Sequence, residues 1–324
     1  MLFSRPALAC HPPFWSRGGY LQTILANYLP EPQLLEPWEP VEVLLADGDR
    51  LAGRCFQGGK EGVLCVFHGL GGDDERPYMR RAVRLGLARG LSVWTMNHRG
   101  CGRGRGLARN TYHSGVAGDI GAVIAAARQR HAGARILALG FSLSGNALLL
   151  NLGGGFDGPH PMPDGAIAVN PPVNLGRCSE FISRVANRPF DRYFVSKVVR
   201  SVREREWAGL IPMGQYQVHP RMLLREFDSA YTAPAGGFRD RDDYYARCSA
   251  APHLHRITKP TVILHAEDDP FVAAMDLKEA SLPPNVHLHL EATGGHMGYL
   301  SRDLEDHRWL AYALGHYLDQ LLAH

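Results

Sequence analysis

Alternation of short apolar runs with helical stretches limits the folds open to this chain more than any other sequence feature. The apolar runs lie at 62–67, 91–96, 136–139, 166–169, 260–265 and 286–290. Each is the length of one buried strand, and helical segments separate most of them. Buried strands spaced by helices are typical of a mostly parallel sheet with both faces covered. The sequence therefore predicts an α/β protein with a mostly parallel central sheet flanked by helices.

Three regions are predicted along the 324 residues. The proline-rich stretch 1–40 is expected to be an arm packed on the core, with a short helix near 19–28. Residues 41–172 and 252–324 form the predicted core, which begins with a hairpin around Asp47-Gly48-Asp49. Between them, 173–251 is rich in arginine and aromatic residues and is predicted to be a helical cap. In open α/β sheets such an insertion lies over the carboxyl ends of the strands, where ligands bind.

The composition limits the kinds of molecule that this chain is expected to bind. A net charge of +3, from 35 basic and 32 acidic residues, is too balanced to indicate nucleic-acid binding. The six cysteines lack C-x-x-C spacing, which favours free thiols in a reducing compartment. Because no apolar run approaches about 18 residues, we expect no integral membrane association and a cytoplasmic location. The oligomeric state is not readable from the sequence.

The sharpest local signal is the run Gly140-Phe141-Ser142-Leu143-Ser144-Gly145, which follows an apolar strand and precedes a helix. This is the context of a nucleophile elbow of the G-x-S-x-G type, and it makes Ser142 the candidate nucleophile. Ser144 replaces the second glycine of that pattern, although serine is small enough for the turn. The alternative is a glycine-rich turn with an incidental serine.

His68-Gly69-Leu70-Gly71-Gly72 ends the first buried strand and is a candidate oxyanion loop. An oxyanion hole needs two preorganised N–H donors. We expect them to be the backbone N–H groups of Leu70 and of Leu143, the residue after the nucleophile. A flexible loop is the plain alternative. Phosphate binding is disfavoured because no Gly-Lys-Ser/Thr follows.

Two further loops follow late strands and supply a candidate acid and base. Asp268-Asp269-Pro270 follows the strand that ends at His265, and Gly294-Gly295-His296 follows the last strand. Asp269 is favoured over its neighbour Asp268, because A-x-x-D before proline resembles the usual turn that carries a triad acid. His296 is the candidate general base. The acidic run also fits a solvated loop or a helix cap.

No cofactor or metal is expected. The pairs His253 and His255, and His287 and His289, alternate on short extended stretches. Carboxylates or cysteines at ligand spacing are missing beside them, so the histidines do not form a recognisable zinc pattern.

These motifs together resemble the α/β-hydrolase family that holds the bacterial YheT-type hydrolases, the abhydrolase-domain proteins of animals and the yeast ethanol acyltransferases. The order Ser142, Asp269, His296 is that of α/β-hydrolase triads. Further marks are Leu21-Gln22-Thr23-Ile24 in the arm, Asn97-His98-Arg99-Gly100 and Asp243-Tyr244-Tyr245. The arm motif is specific, since fold-level physics does not demand it. The resemblance covers nearly the whole chain and implies an α/β-hydrolase fold with a helical cap.

The resemblance also implies an activity. It predicts a serine carboxylesterase that cleaves small-molecule acyl esters of short to medium chain length through an acyl-enzyme. One alternative is an acyltransferase, in which an alcohol replaces water in the second step. The other is a non-catalytic binding protein on the same scaffold.

Overall fold

An eight-stranded sheet forms the centre of the computed structural model, which describes residues 2–155 and 157–324. The strands are β1 Trp38–Leu44, β2 Arg50–Phe56, β3 Gly62–Phe67, β4 Leu91–Met96, β5 Ile136–Phe141, β6 Gly165–Val169, β7 Thr261–Ala266 and β8 Val286–Glu291. Their order is β1-β2-β4-β3-β5-β6-β7-β8. β1 and β2 form the predicted hairpin, β2 pairs antiparallel with β4, and all later pairs are parallel.

Helices cover both faces of this sheet. They are α1 Gly19–Leu25, α2 Pro77–Leu87, α3 Ala117–Arg130, α4 Leu143–Leu152, α5 Leu175–Ile182, α6 Arg188–Trp207, α7 Leu224–Phe227, α8 Ala233–Ala235, α9 Arg241–Cys248, α10 Met275–Lys278 and α11 Trp309–Ala323. A π-helix, Asp228–Thr232, joins α7 to α8. One buried cluster packs α3 and α4 against the sheet, and a second packs α2 and α11 against the opposite face. The mostly parallel sheet with helices on both faces confirms the predicted fold class.

The ends of several helices differ from the sequence prediction. α11 begins at Trp309 rather than near Leu304, because Leu300 forms a β-bridge with Arg308 and the Ser301 N–H donates to the His307 carbonyl. α4 begins at Leu143, immediately after the candidate nucleophile, rather than at Asn146. Local hydrophobic periodicity does not register such loop closures, so helix boundaries were the weakest part of the prediction.

Residues 173–251 lie between β6 and β7 and contain α5 to α9 with the π-helix. Apolar side chains of α5, α6 and α7 form a third buried cluster, which also includes Phe271 and Val272 of the loop after β7. This helical segment therefore contacts the loop that carries the candidate acid. The division into arm, core and cap stays a prediction.

Candidate active site

Ser142 stands on a strained turn between β5 and α4. Its backbone has φ 51° and ψ −118°, a conformation that residues other than glycine rarely adopt outside functional turns. The turn needs glycine at position 140, since a Cβ there would lie 2.5 Å from the Ser144 carbonyl oxygen. The Ser142 N–H donates to the Val169 carbonyl of β6, which fixes the turn against the sheet. The sequence therefore builds the sharp elbow that the strand–helix context predicted.

The structure brings Ser142, His296 and Asp269 into one hydrogen-bonded chain. His296 Nε2 lies 2.9 Å from Ser142 Oγ, and His296 Nδ1 lies 2.8 Å from Asp269 Oδ2. The His296 side chain is 10% exposed, whereas that of Asp269 is fully covered. A carboxylate at Nδ1 requires a proton on that nitrogen, which leaves Nε2 as the acceptor for the serine hydroxyl.

Asp269 is held as a carboxylate by donors on every side. Its Oδ1 accepts from the N–H groups of Phe271 and Val272, and its Oδ2 accepts from the Asn170 amide at 2.7 Å as well as from His296. Burial acts to raise the pKa of Asp269. The charge and hydrogen bond of His296 and the other donors outweigh burial and hold the pKa below its ordinary value. The group is therefore ionised at neutral pH despite being buried.

Asp268, the rival acid, faces a different partner. Its Oδ1 accepts from the Gly295 N–H at 2.8 Å. Burial raises the pKa of Asp268, and the nearby charge of Asp269 adds to the rise. Asp268 thus ties the β7 loop to the histidine loop by way of the backbone. Of the two carboxylates, Asp269 is the one in contact with the imidazole.

The arm lies directly against the histidine loop, a contact that sequence reasoning missed. Thr23 Oγ1 accepts from the His296 N–H at 2.8 Å and donates to the Gly19 carbonyl at 2.7 Å. The Gln22 side chain accepts from the Leu300 N–H and donates to the Leu300 carbonyl. The approach is close enough that a Cβ at Gly19 would lie 1.8 Å from the Asp268 carbonyl oxygen. This contact explains the arm motif, whose specificity was the only sequence signal of a role.

The loop after β3 lies beside the nucleophile. A Cβ at Gly69 would lie 3.2 Å from the Ser142 Cβ. Gly69 donates its N–H to the Tyr78 hydroxyl and Gly71 donates to the Tyr112 hydroxyl, which fixes the loop on both sides of Leu70. Within the described residues, no hydrogen bond uses the N–H of Leu70 or Leu143 as donor. Both residues line the same cavity as Ser142, and both N–H groups are available to an acceptor there.

Ser144, which departs from the usual glycine, is buried in a polar network behind the elbow. Its hydroxyl donates to the His68 carbonyl and accepts from His98 Nε2, at 2.6 Å in the second case. His98 also donates its backbone N–H to His68 Nε2, so His68 Nδ1 carries a proton that it donates to the Gly69 carbonyl. Burial lowers the pKa of His68 and of His98, which keeps both rings neutral. The network links the elbow to the loop that holds Leu70.

A cavity of about 950 Å³, counting the space at its open mouth, lies above these residues. Ser142, His296, Leu70 and Leu143 line its floor. Helical residues of the segment after β6 supply most of the remaining wall, which is largely apolar. Such a cavity suits a hydrophobic segment of a small molecule, placed with its reacting atom at the serine.

Other side chains singled out in the sequence have structural partners. His289 contacts Glu291 Oε1 at 2.7 Å and the Tyr317 hydroxyl at 2.5 Å. Throughout the part of the chain that the structure describes, no group of three or more His, Cys, Asp or Glu side chains is placed to hold a metal ion. All six cysteines are free and buried. A search of the described helices finds none with the length and apolar character to span a bilayer.

Comparison with known proteins gives consistent matches. The profile of a family described as “alpha/beta hydrolase fold” matches residues 62–303. The chain is 33% identical to “Putative esterase YheT” of Escherichia coli strain K12, over 88% of this chain and 85% of the relative. It is 30% identical to “Phospholipase ABHD3” of Mus musculus, over 74% of this chain and 58% of that one.

A third relative is “Medium-chain fatty acid ethyl ester synthase/esterase 2” of Saccharomyces cerevisiae, with 26% identity over 79% of this chain and 61% of the relative. Among solved structures, the Pyrococcus furiosus esterase Pf2001 superposes with a TM-score of 0.58 and 16% identity, covering 90% of this chain and 99% of that one. At this level of identity, the structural similarity shows that the two proteins share a fold.

Proposed function

This chain belongs to the α/β-hydrolase family and is a carboxylic ester hydrolase, and from that premise we propose that Ser142, His296 and Asp269 are its catalytic triad. The substrates we propose are acyl esters of short to medium chain length. The observation that carries the proposal is the hydrogen-bonded chain from Ser142 Oγ through His296 to the buried Asp269. Nucleophile, base and orienting carboxylate in that arrangement are what acyl transfer through a serine requires.

The proposed reaction has two steps. Ser142 Oγ attacks the ester carbonyl while His296 Nε2 takes the serine proton, and the same nitrogen then donates it to the departing alcohol. Asp269 holds the imidazole in the tautomer that accepts at Nε2 and stabilises the imidazolium. The Leu70 and Leu143 N–H groups stabilise the oxyanion of the tetrahedral intermediate. Water, activated by His296, then releases the acid from the acyl-enzyme.

The cavity supports an aliphatic acyl or alkyl group as the part of the substrate that binds. Its walls include the side chains of Leu175, Ile182, Val198 and Phe271, which are apolar and largely buried. Transfer of an aliphatic chain from water into a cavity with such apolar walls is favourable by about 0.8 kcal/mol per buried CH₂. We therefore expect the rate to rise with acyl length until the cavity is filled.

A cytoplasmic location of the protein stays a prediction.

The test is hydrolysis of p-nitrophenyl esters from acetyl to palmitoyl by the wild type and by Ser142→Ala. We expect an optimum at a short or medium chain, with activity lost in the variant. Labelling by a fluorophosphonate probe should occur in the wild type and disappear in Ser142→Ala. Ser196→Ala is the matched control, because Ser196 lies on exposed α6 surface and donates only to the Tyr193 carbonyl. Equal activity in wild type and Ser142→Ala would exclude Ser142 as the nucleophile.

Transfer of the acyl group to an alcohol is the second candidate function. The observation in its favour is the similarity to the yeast relative, whose name includes both synthase and esterase. Adding ethanol to the reaction and measuring ethyl ester by chromatography separates the two. Hydrolysis predicts free acid as the main product, whereas transfer predicts that ethyl ester exceeds the acid.

A further inference from the structure

One wall of the cavity carries a polar cluster that the reaction does not use. Asp228, Thr232, Tyr245 and Ser179 line the same cavity as Ser142 and His296. The Tyr245 hydroxyl donates to Asp228 Oδ2 at 2.7 Å. Because a phenol has one hydrogen, the 3.0 Å contact between Tyr245 and Ser179 has the serine as donor. Three hydroxyls and a carboxyl thus meet at one place in an otherwise apolar chamber.

Asp228 is a carboxyl with no cationic partner. Within residues 2–155 and 157–324 it forms no ion pair, and Arg241, whose charge favours the ionised form of Asp228, pairs with Asp242 instead. Burial raises the pKa of Asp228 to about 6, although hydrogen bonds from Thr232 and Tyr245 oppose the rise. A carboxyl group offers about four acceptor sites, and the two hydroxyls use two of them. Acceptor capacity therefore remains on a group that lines the cavity.

The backbone at this place is also unusual. Asp228 and Thr232 are the first and last residues of the π-helix. π-Helical turns are rare and occur often at functional sites. The cluster and the reacting groups share one cavity, because Asp228 and Tyr245 line it together with Ser142 and His296. The geometry thus places the polar cluster within the reach of one bound substrate.

We propose that the Asp228–Tyr245–Ser179 cluster is a subsite that binds an aliphatic hydroxyl group of the ester substrate. The inference rests on the proposed function and names the substrate class more closely, as esters whose hydrocarbon segment bears a hydroxyl group. The hydroxyl donates to the free acceptor site of Asp228. Apolar wall residues such as Leu175, Val198 and Phe227 contact the methylene groups between the hydroxyl and the ester. A few placed polar groups in an apolar pocket are the usual means of orienting a ligand.

A hydroxyl fits the cluster better than an ammonium group does. An ammonium ion has three donors and carries a charge whose burial is costly unless it is paired and fully hydrogen-bonded. The cluster supplies one carboxyl, already engaged by Tyr245 and Thr232, whereas a hydroxyl needs a single acceptor. A purely aliphatic chain would leave the remaining acceptor capacity of the carboxyl unused, which disfavours its binding at this wall.

The experiment compares matched esters by acid release in a pH-stat. One arm uses methyl octanoate against its 6-, 7- and 8-hydroxy derivatives, which place the hydroxyl on the acyl side. The other uses hexyl octanoate against 6-hydroxyhexyl octanoate, which places it on the alcohol side. We expect kcat/KM to favour at least one hydroxylated ester by about 10- to 100-fold, the effect of one hydrogen bond to a charged group. The arm with the preference identifies which side of the ester occupies the subsite.

Asp228→Leu should reduce that ratio to about 1 and retain hydrolysis of the unsubstituted ester. Asp276→Asn is the matched control, because Asp276 is a buried carboxyl of α10 that pairs with Arg177 and does not line the cavity. Its ratio should equal that of the wild type. A wild-type ratio of 1 or below in both arms overturns the subsite, as does an unchanged ratio in Asp228→Leu. An ω-trimethylammonium ester that outperforms all hydroxylated ones overturns it too.

These outcomes are separable from failure of the proposed function. Ser142-dependent hydrolysis of methyl octanoate without a hydroxyl preference leaves the esterase intact and removes only the subsite. Loss of all hydrolysis together with failure of the fluorophosphonate probe to label Ser142 removes both. If Asp228→Leu does not fold, the wild-type ratios still decide the question, and Tyr245→Phe gives a second variant that alters the cluster without removing the carboxyl.

Discussion

Replacing Asp269 with asparagine tests the proposed triad most sharply, because the structure leaves the amide only one way to fit. Oδ1 of Asp269 faces the N–H groups of Phe271 and Val272 at 2.8 and 3.1 Å. Those donors belong to the backbone and cannot rotate away. The asparagine carbonyl must therefore take that side, and its NH₂ group must face His296 Nδ1.

That orientation forces the wrong tautomer on the histidine. A neighbouring NH₂ donor stabilises an unprotonated Nδ1, so the ring proton moves to Nε2. His296 Nε2 then donates towards Ser142 Oγ and cannot take the serine proton. The neighbouring Asn170 amide cannot rotate to present its oxygen to the new NH₂ group. Its own NH₂ donates to the Gly295 carbonyl, and its oxygen accepts from the Tyr299 hydroxyl.

We expect kcat/KM for a p-nitrophenyl ester to fall about 10⁴-fold in Asp269→Asn, as the same change does in a serine protease triad. That factor corresponds to about 5 kcal/mol of transition-state stabilisation. Because the wrong tautomer blocks chemistry and not binding, the loss should be in kcat. Activity should recover in part as pH rises, when hydroxide provides an alternative route to the ester.

Asp268→Asn is the matched control for this experiment. Its side chain accepts from the Gly295 N–H, which an asparagine oxygen does equally well. We therefore expect kcat/KM to fall less than about tenfold, because only one hydrogen bond, that from the Gly295 N–H, is altered. A larger loss in Asp268→Asn than in Asp269→Asn would refute the assignment and make Asp268 the triad acid.

Three further outcomes follow from buried contacts. Ser144→Ala removes a hydroxyl that accepts from His98, so the free energy of unfolding should fall by about 1 to 3 kcal/mol in urea titration, and kcat should fall more than KM changes. A variant as stable and active as the wild type would contradict this. Thr23→Val should lower kcat about tenfold by freeing the His296 N–H, whereas Thr23→Ser should behave as wild type. Asp228 has a folded-state pKa of about 6, above its ordinary 3.8, so its contribution to stability is present at low pH and is lost as pH rises from about 4 to 6. Relative to Asp228→Asn, the wild type should lose up to about 3 kcal/mol over that window, and parallel stability curves would contradict the buried carboxyl.

The parts of the site that the sequence predicted lie at the ends of strands. Parallel strands put their carboxyl ends at one edge of the sheet, so residues just after β5, β7 and β8 are expected to meet. Ser142, Asp269 and His296 follow those three strands, and the structure places them within hydrogen-bonding distance. Strand periodicity and chain order were sufficient for that inference because the sheet itself supplies the long-range contacts.

The parts that were not predicted depend on contacts that no local pattern encodes. Thr23 acts on the backbone of His296 from 273 residues away, and Asp228 meets Tyr245 through the folding of short helices. The residue types gave weak signals, because threonine and aspartate are both common in helical segments. Ser144 was recognised as a departure from glycine, but its partners lie at the ends of β3 and β4. Only the packed structure shows that the Ser144 hydroxyl forms buried hydrogen bonds that a glycine at this position could not form.

Ser142 and the loop that follows His296 both contain strained backbone, so the geometry of the Ser142–His296 hydrogen bond depends on the surrounding elements. Ser142 has φ 51°, and Met297 and Tyr299, beside His296, have φ 66° and 43°. Such conformations cost of order 1 to 3 kcal/mol each and persist only where neighbouring structure enforces them. On the serine side, that structure is the sheet and α4. On the histidine side it is the arm, through Thr23, and the Asp268 carboxylate. We therefore expect the arm to affect the rate of hydrolysis, because Thr23 accepts from the backbone N–H of His296 and stabilises the loop whose position sets the 2.9 Å contact.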